Sequence, residues 1–389
     1  MAQSPSIPWW RRRRTRDVAI QAALIAAVVA VIAVMWMNTV ATLQRQHIAS
    51  GFGFLDDTAG FDIIQTLVTY NESSTYGRVL VVGILNTLVV AALGIVLATA
   101  IGFIVGIGQL SSNWLIARLA RSYVEVLRNL PLLLQIFFWY FAVLRALPGP
   151  RESWGVGEAI FLNNRGLYLP APVTETGFGF VVLVLIAGIA GAIWWTLRAR
   201  RLREATGRVV SVGCVAAAMI LLPPLVASAV AGFPLTFSWP ALAGFNFEGG
   251  FVVLPEMMAL VVALATYTAS YIAEIVRAGI EGVAKGQTEA SQALGLKRGQ
   301  VLRLVIVPQA LRQIIPPLTS QYLNLTKNSS LAVAIAYPDL VSVFAGTTLS
   351  QTGQAIEIIA ITMAVYLTIS LLTSAFMNWY NTRVGLTER

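Results

Sequence analysis

Glu289-Ala-Ser-Gln-Ala-Leu-Gly295-Leu-Lys-Arg-Gly-Gln-Val-Leu-Arg-Leu-Val-Ile-Val-Pro308 is a charged, glycine-hinged stretch between long apolar segments. Its spacing predicts a short helix over 287–294, with Glu289 and Gln292 on one side and Ala290, Ala293 and Leu294 on the other. Gly295 is expected to end that helix, because glycine accepts the positive φ of a helix C-cap. Arg298, Arg303 and Arg312 come next as solvated cations or as contacts for acidic groups of a partner. Pro308 and the pair Pro316-Pro317 then mark the return of the chain to an apolar environment. The stretch reads as a docking loop slung between two membrane segments.

Composition supports that setting. Of 389 residues, 57% are hydrophobic and only 12% charged, and the mean hydropathy is +0.73. Apolar runs of about 20 residues, the length that crosses a bilayer core as a helix, recur along the chain. They lie at 18–37, 79–107, 130–147, 178–195, 209–233, 252–275, 318–336 and 358–377. Nothing alternates as barrel strands would, so the expectation is an all-α polytopic membrane protein of about eight transmembrane helices.

Threading those spans with the N-terminus inside places most basic residues on one side. Inside lie Arg11 to Arg16, Arg118, Arg121, Arg128, the cluster from Arg198 to Arg208, the cluster from Arg277 to Arg312, Arg383 and Arg389. Outside lie Arg45, Arg78, Arg145, Arg151 and Arg165, and Lys327 alone falls within a span. Both termini are therefore expected in the cytoplasm. The net charge of +9 reads as topology, with no nucleic acid as partner. The Arg11 to Arg14 run and its apolar segment read as an uncleaved anchor, since the segment exceeds a signal-peptide core of about 7 to 15 residues. Trp9 and Trp10 are expected at one interface, and Trp379 and Tyr380 at the far end of the chain.

One cysteine, Cys214, and one histidine, His47, leave no basis for a metal site, a disulfide or thiol catalysis. Cys214 is expected as a buried, inert thiol and His47 as a solvated loop residue. None of the three lysines, Lys285, Lys297 and Lys327, precedes Ser or Thr, so there is no phosphate-binding loop. No cofactor is expected, and ATP, if it drives this chain, is hydrolysed elsewhere.

The 289–308 stretch resembles the cytoplasmic EAA loop of ATP-binding-cassette importer permeases, whose pattern is Glu-Ala-Ala, three residues, Gly, nine residues, Ile, one residue, Leu-Pro. Glu289, Ala290, Gly295 and Pro308 match by identity; Ser291, Val305 and Val307 replace Ala, Ile and Leu. Asn86-Thr87, Tyr123 to Pro131, Phe137 to Tyr140, Tyr271 to Gly279 and Lys327 to Leu331 are similar to segments of the polar amino-acid permeases of that superfamily. The resemblance implies a five-helix type I importer core in two parts, 79–147 and 251–380, the second carrying the coupling loop at 277–315. Two additions depart from that core. One is residues 1–78, a basic N-terminus, anchor helix and periplasmic loop; the other is 148–250, with two extra spans. A short cytoplasmic tail, 381–389, closes the chain. Both additions resemble the larger permeases of general L-amino-acid and glutamate/glutamine/aspartate/asparagine import systems. The resemblance further implies a pore-forming, non-catalytic subunit of a bacterial inner-membrane importer of polar L-amino acids. Its implied partners are ATPase subunits coupled through Glu289, Ala290, Gly295 and Pro308, a related or identical second permease, and a periplasmic amino-acid-binding protein.

Polar residues at membrane depth are costly and default to function. Tyr267, Tyr271 and Glu274 share one helical face in the sixth span; Ser320, Asn324, Lys327 and Asn328 share one in the seventh. Together with Asn86 and Ser329 these are candidate passage residues. Lys327 either meets a substrate carboxylate, snorkels to the interface, or pairs with a carboxylate of a neighbouring subunit. Glu274 and Arg277 are expected to form a structural ion pair. The glycine pair Gly102 and Gly106 permits close helix packing. The rival reading, an ion-gradient-driven secondary transporter, predicts internal repeats and broken helices.

Overall fold

The computed structural model describes residues 13–45, 51–157, 159–206 and 211–384. Every expected span centres on a helix: α1 (Arg13–Arg45), α2 (Tyr76–Gln109), α4 (Leu132–Phe137, continued by a π-helix Phe138–Leu144), α5 (Phe178–Thr206), α6 (Val212–Val230), α7 (Pro255–Glu281), α10 (Val307–Asn328) and α12 (Ala355–Val384). Helices α3 (Trp114–Asn129), α8 (Lys285–Ala293), α9 (Arg298–Val301) and α11 (Leu349–Thr352) complete the set. Among the described residues six helices are long and apolar enough to cross a membrane, seven if the broken pair α3 and α4 is one span. The first expected span lies within α1, which runs for 33 residues. Trp9, Trp10 and His47 lie outside the described residues.

The break before α4 falls at Pro131, which has no N–H to continue a helix. Gln135 answers part of that loss, its side-chain amide donating to the carbonyls of Leu127 (3.0 Å) and Leu130 (3.1 Å).

The chain divides into two compact units, one running to Glu125 and resuming at Thr268, the other covering Val126–Tyr267. In the first, α2 is the axis, and its small residues face its neighbours. A Cβ on Gly102 would stand 2.6 Å from Ile272 Cβ, and one on Gly106 would stand 2.7 Å from the Ala273 carbonyl, both on α7. Gly94 faces Leu325 of α10, and Gly83 lies against the Leu340 backbone. The loop preceding α2 packs into the core of this unit. Phe54, Ala59 and Ile63 are buried with Tyr76, Val79, Val82, Val343, Phe344 and Ile358. Tyr76 Oη donates to Gln351 Oε1 (2.8 Å), and Gly51 N to Glu357 Oε1 (2.7 Å), tying the loop to the far end of the chain.

In the second unit α5 and α6 form an antiparallel hairpin, with Gly188 against the Met219 backbone. Cys214 is exposed on α6, correcting the expectation of a buried thiol. On a two-helix hairpin both faces can be apolar without being internal. The spanning part is all-α, but the 148–250 stretch and its exit add eight strands of three or four residues that carry no legible alternation. Strands β1 (Trp154–Val156), β2 (Ile160–Asn163), β3 (Gly166–Leu169) and β8 (Phe251–Val253) form one antiparallel sheet in that order. β4 (Ala171–Thr174) pairs with β5 (Leu235–Ser238), and β6 (Ala241–Ala243) with β7 (Asn246–Glu248). Their small core stacks Phe247 on Phe161 (4.6 Å between centroids) and on Tyr168 (4.8 Å).

Candidate coupling and passage sites

Between α7 and α10 the chain makes two short helices joined by an elbow. α8 ends where Gly295 takes φ +76°, with Gly295 N donating to the Gln292 carbonyl (2.9 Å) and Leu296 N to that of Ser291 (3.2 Å). These bonds close the last turn of α8, a geometry glycine adopts without the Cβ penalty. α9 starts with Lys297 N held by Gln300 Oε1 (2.9 Å) and runs through a π-helical stretch, Leu302–Ile306, into α10. Pro308 directly follows the π-helical stretch at the start of α10, where it has no N–H to donate to a carbonyl of the preceding turn. Pro316 and Pro317 lie inside the same helix.

The elbow hangs from a rigid base. Gly279 of α7 packs so closely on Ile314 of α10 that a Cβ would approach its Cγ1 to 2.4 Å. Arg277 pairs with Glu274 and with Glu281, each at 2.5 Å, as the expected structural ion pair with a second carboxylate added. On α8 the inward residue is Ser291, 5% exposed, its hydroxyl donating to the Gln287 carbonyl (2.6 Å). Glu289, Ala290 and Ala293 are exposed, and Leu294 is 81% exposed. A recess lined by Ile280, Val283, Lys285, Thr288, Leu302 and Ile306 opens beside them.

The candidate passage residues separate into groups. Ser320, Asn324 and Lys327 form an exposed polar stripe on α10, with Asn328 half-buried at its end. Among the described residues no carboxylate forms an ion pair with Lys327. Tyr271 lies half-buried on the part of α7 that belongs to the first unit, while Tyr267 belongs to the second. Asn86 and Ser329 are fully buried. The Asn86 amide donates to the carbonyls of Gln65 (2.9 Å) and Pro338 (2.8 Å), and the Ser329 hydroxyl to that of Thr326 (2.7 Å). Both hold segments of the first unit together in this structure. Two features carry no signal in the sequence: the role of Gln65, inconspicuous in a polar loop, and that of Asp339, a single acid in an apolar run.

Residues 185–386 match the family model described as binding-protein-dependent transport system inner membrane component. The chain is 55% identical over 368 residues to the general L-amino acid transport system permease protein AapQ of Rhizobium johnstonii, covering 94% of this chain and 92% of that one. It is 52% identical over 365 residues to the putative amino-acid ABC transporter permease protein YhdX of Escherichia coli, covering 94% and 93%. It is 39% identical over 407 residues to the glutamate/glutamine/aspartate/asparagine transport system permease protein BztB of Rhodobacter capsulatus, covering 97% and 95%.

Proposed function

The chain belongs to the inner membrane components of binding-protein-dependent transport systems, and from that premise we propose that it forms the pathway of an ATP-driven importer of polar L-amino acids, coupled to separate ATPase subunits through α8. The observation that carries the coupling is the exposed face of α8. Ala290, Ala293 and Leu294 offer a small apolar patch beside Glu289, over a recess, on a helix held by its neighbours through α9 and α10. A short helix presented this way fits a groove of a partner, and movement of the partner reaches α7 and α10 directly because both ends of the elbow join those helices. The similarity to amino-acid permeases supports the substrate class. A periplasmic binding protein delivers substrate, and a second permease, related or identical, completes the pathway. The five-helix core comprises 79–147 and 251–380, with 1–78 and 148–250 as additions.

Passage is assigned to the stripe Ser320, Asn324 and Lys327. A zwitterionic amino acid crossing low dielectric must exchange hydration for fixed donors and acceptors, and an ammonium flanked by an amide and a hydroxyl offers those to a carboxylate. The chain itself hydrolyses nothing in this scheme.

Gly295→Asp tests the coupling. A non-glycine residue at φ +76° costs about 1 kcal/mol, small against the stability of a bundle this size, but the new carboxylate enters the docking surface. Expected are normal abundance, ATP hydrolysis no longer tied to substrate, and uptake reduced at least tenfold. Wild-type uptake by a well-assembled variant would overturn the assignment.

A further inference from the structure

Asp339 lies in the turn 336–340 between the 3-10 helix Ser329–Ile335 and the π-helix Val341–Thr348, and its exposure is 0%. The turn is pinned to α2 on several sides. Asn86 Nδ2 donates to the Pro338 carbonyl (2.8 Å), Leu340 N to Thr87 Oγ1 (3.1 Å), and Tyr337 Oη to the Asn86 carbonyl (3.4 Å). Gly83 leaves no room for a side chain against the Leu340 Cα, which a Cβ would approach to 2.9 Å.

The carboxyl group is lopsided. Oδ1 accepts from Ser342 N (2.8 Å) and so caps the π-helix; Oδ2 is buried without a hydrogen-bond partner. The titratable groups facing it are two phenols, Tyr337 from its own turn and Tyr366 from α12, and the Tyr366 hydroxyl lies near Asp339, Ser329 and Thr87 without a well-formed hydrogen bond to any of them. α2 and the 3-10 helix present only neutral Asn86, Thr87 and Ser329. Among the described residues no Lys, Arg or His pairs with Asp339. A buried carboxylate without a cation is costly enough that such a group neutralises instead.

We propose that Asp339 holds a proton, and that the neutral acid latches the 336–340 turn onto α2 at one end of the bundle. Oδ2 carries the proton, in the neighbourhood of the Tyr366 hydroxyl. When the O–H bond breaks the proton passes to water, a bare carboxylate remains, and the turn leaves α2 to hydrate it; reprotonation closes the latch. Burial raises the carboxyl from 3.8 to about 7, which puts this exchange in a working range. The sign comes from linkage. With a raised value in the latched state, latching is complete on the acid side, weakens up to tenfold per pH unit as pH rises toward about 7, and is constant above it. That this end faces outward rests on the proposed orientation; the latch itself does not.

The test uses the full chain, purified into lipid nanodiscs, where labelling from either side makes the result independent of orientation and transport. Val343, 5% exposed beneath the turn, is replaced by Cys in a Cys214→Ser background, with Asp339 or with Asp339→Asn, a permanently neutral isostere. The ratio of maleimide labelling rates, Asp339 over Asn, cancels the titration of the thiol itself. Expected is a ratio that climbs by well over tenfold between about pH 5 and about pH 7 and then levels off. A constant ratio overturns the latch. Should the Asn variant fail to fold, infrared spectra of the otherwise native chain carrying carboxyl-labelled aspartate decide. A protonated C=O band that survives at about pH 6 and is gone by about pH 8.5 supports the proposal, and its absence at about pH 6 overturns it.

Discussion

At the scale of residues, α10 contrasts polar groups placed for packing with polar groups left open. Thr326 and Ser329 turn inward and bond to carbonyls of their own segment, at 2.9 and 2.7 Å. One helical face away, Ser320, Asn324 and Lys327 are exposed. A lysine on a membrane helix, with no carboxylate partner among the described residues of its own chain, has to be accommodated by water, a ligand or another subunit. Lys327→Met separates these. If the ammonium meets the substrate carboxylate, uptake per assembled complex falls at least tenfold, in line with about 1.5–3 kcal/mol for a hydrogen bond to a charged group, while abundance and ATPase association hold. Near-normal uptake per assembled complex rules out the ligand role, and loss of assembly points to an ion pair across the subunit boundary.

At the scale of elements, the spans and the α8 elbow were legible because each leaves a periodic or positional mark. A run of about 20 apolar residues has one physical meaning in a chain of this composition, and Gly295 could only end α8 if it took positive φ, as it does. The loop 51–75 was not legible. Its anchors, Phe54, Ala59 and Ile63, are spaced without a period, and they find their partners Phe344 and Ile358 far away in the sequence. The strands β1 to β8 were equally silent, being too short to alternate. Asn86 is ambiguous for a related reason: an asparagine at membrane depth looks the same in sequence whether it faces a passage or bonds to Gln65 and Pro338, the bonds found in this structure. Gly102 and Gly106, a common pattern in membrane helices, turn out to set the α2 to α7 distance. A valine at Gly106 would push against the Ala273 carbonyl and the Val276 side chain, both under 3.0 Å from a Cβ there. Overpacking of this kind costs about 1–3 kcal/mol, so Gly106→Val should lower the melting temperature of the purified chain, whereas Gly299→Val, where a Cβ meets nothing within 4 Å, should leave it within experimental error.

At the scale of the whole molecule, charge has to agree with the direction of every helix. α2 and α7 connect through cytoplasmic ends only if Arg118, Arg121 and Arg128 share a side with the cluster from Arg277 to Arg312 and with the last turns of α5, which carry Arg198, Arg200, Arg201 and Arg203. An odd number of spans between any two of these groups would put one of them outside, against the retention of basic loops in the cytoplasm. Two features depend on that parity. The proposed coupling needs the α8 elbow inside, and the same parity puts the sheet β1-β2-β3-β8 outside. Reporter fusions read both. Alkaline phosphatase joined after Gly157, in the turn following β1, should be active, and joined after Gly286 or at the C-terminus it should be inactive, while green fluorescent protein at the C-terminus should fluoresce. An active phosphatase after Gly286 would invert the molecule and remove α8 from any cytoplasmic partner. Activity after Gly157 and also after Gly207, between α5 and α6, would instead show that the α5 and α6 hairpin does not cross the bilayer.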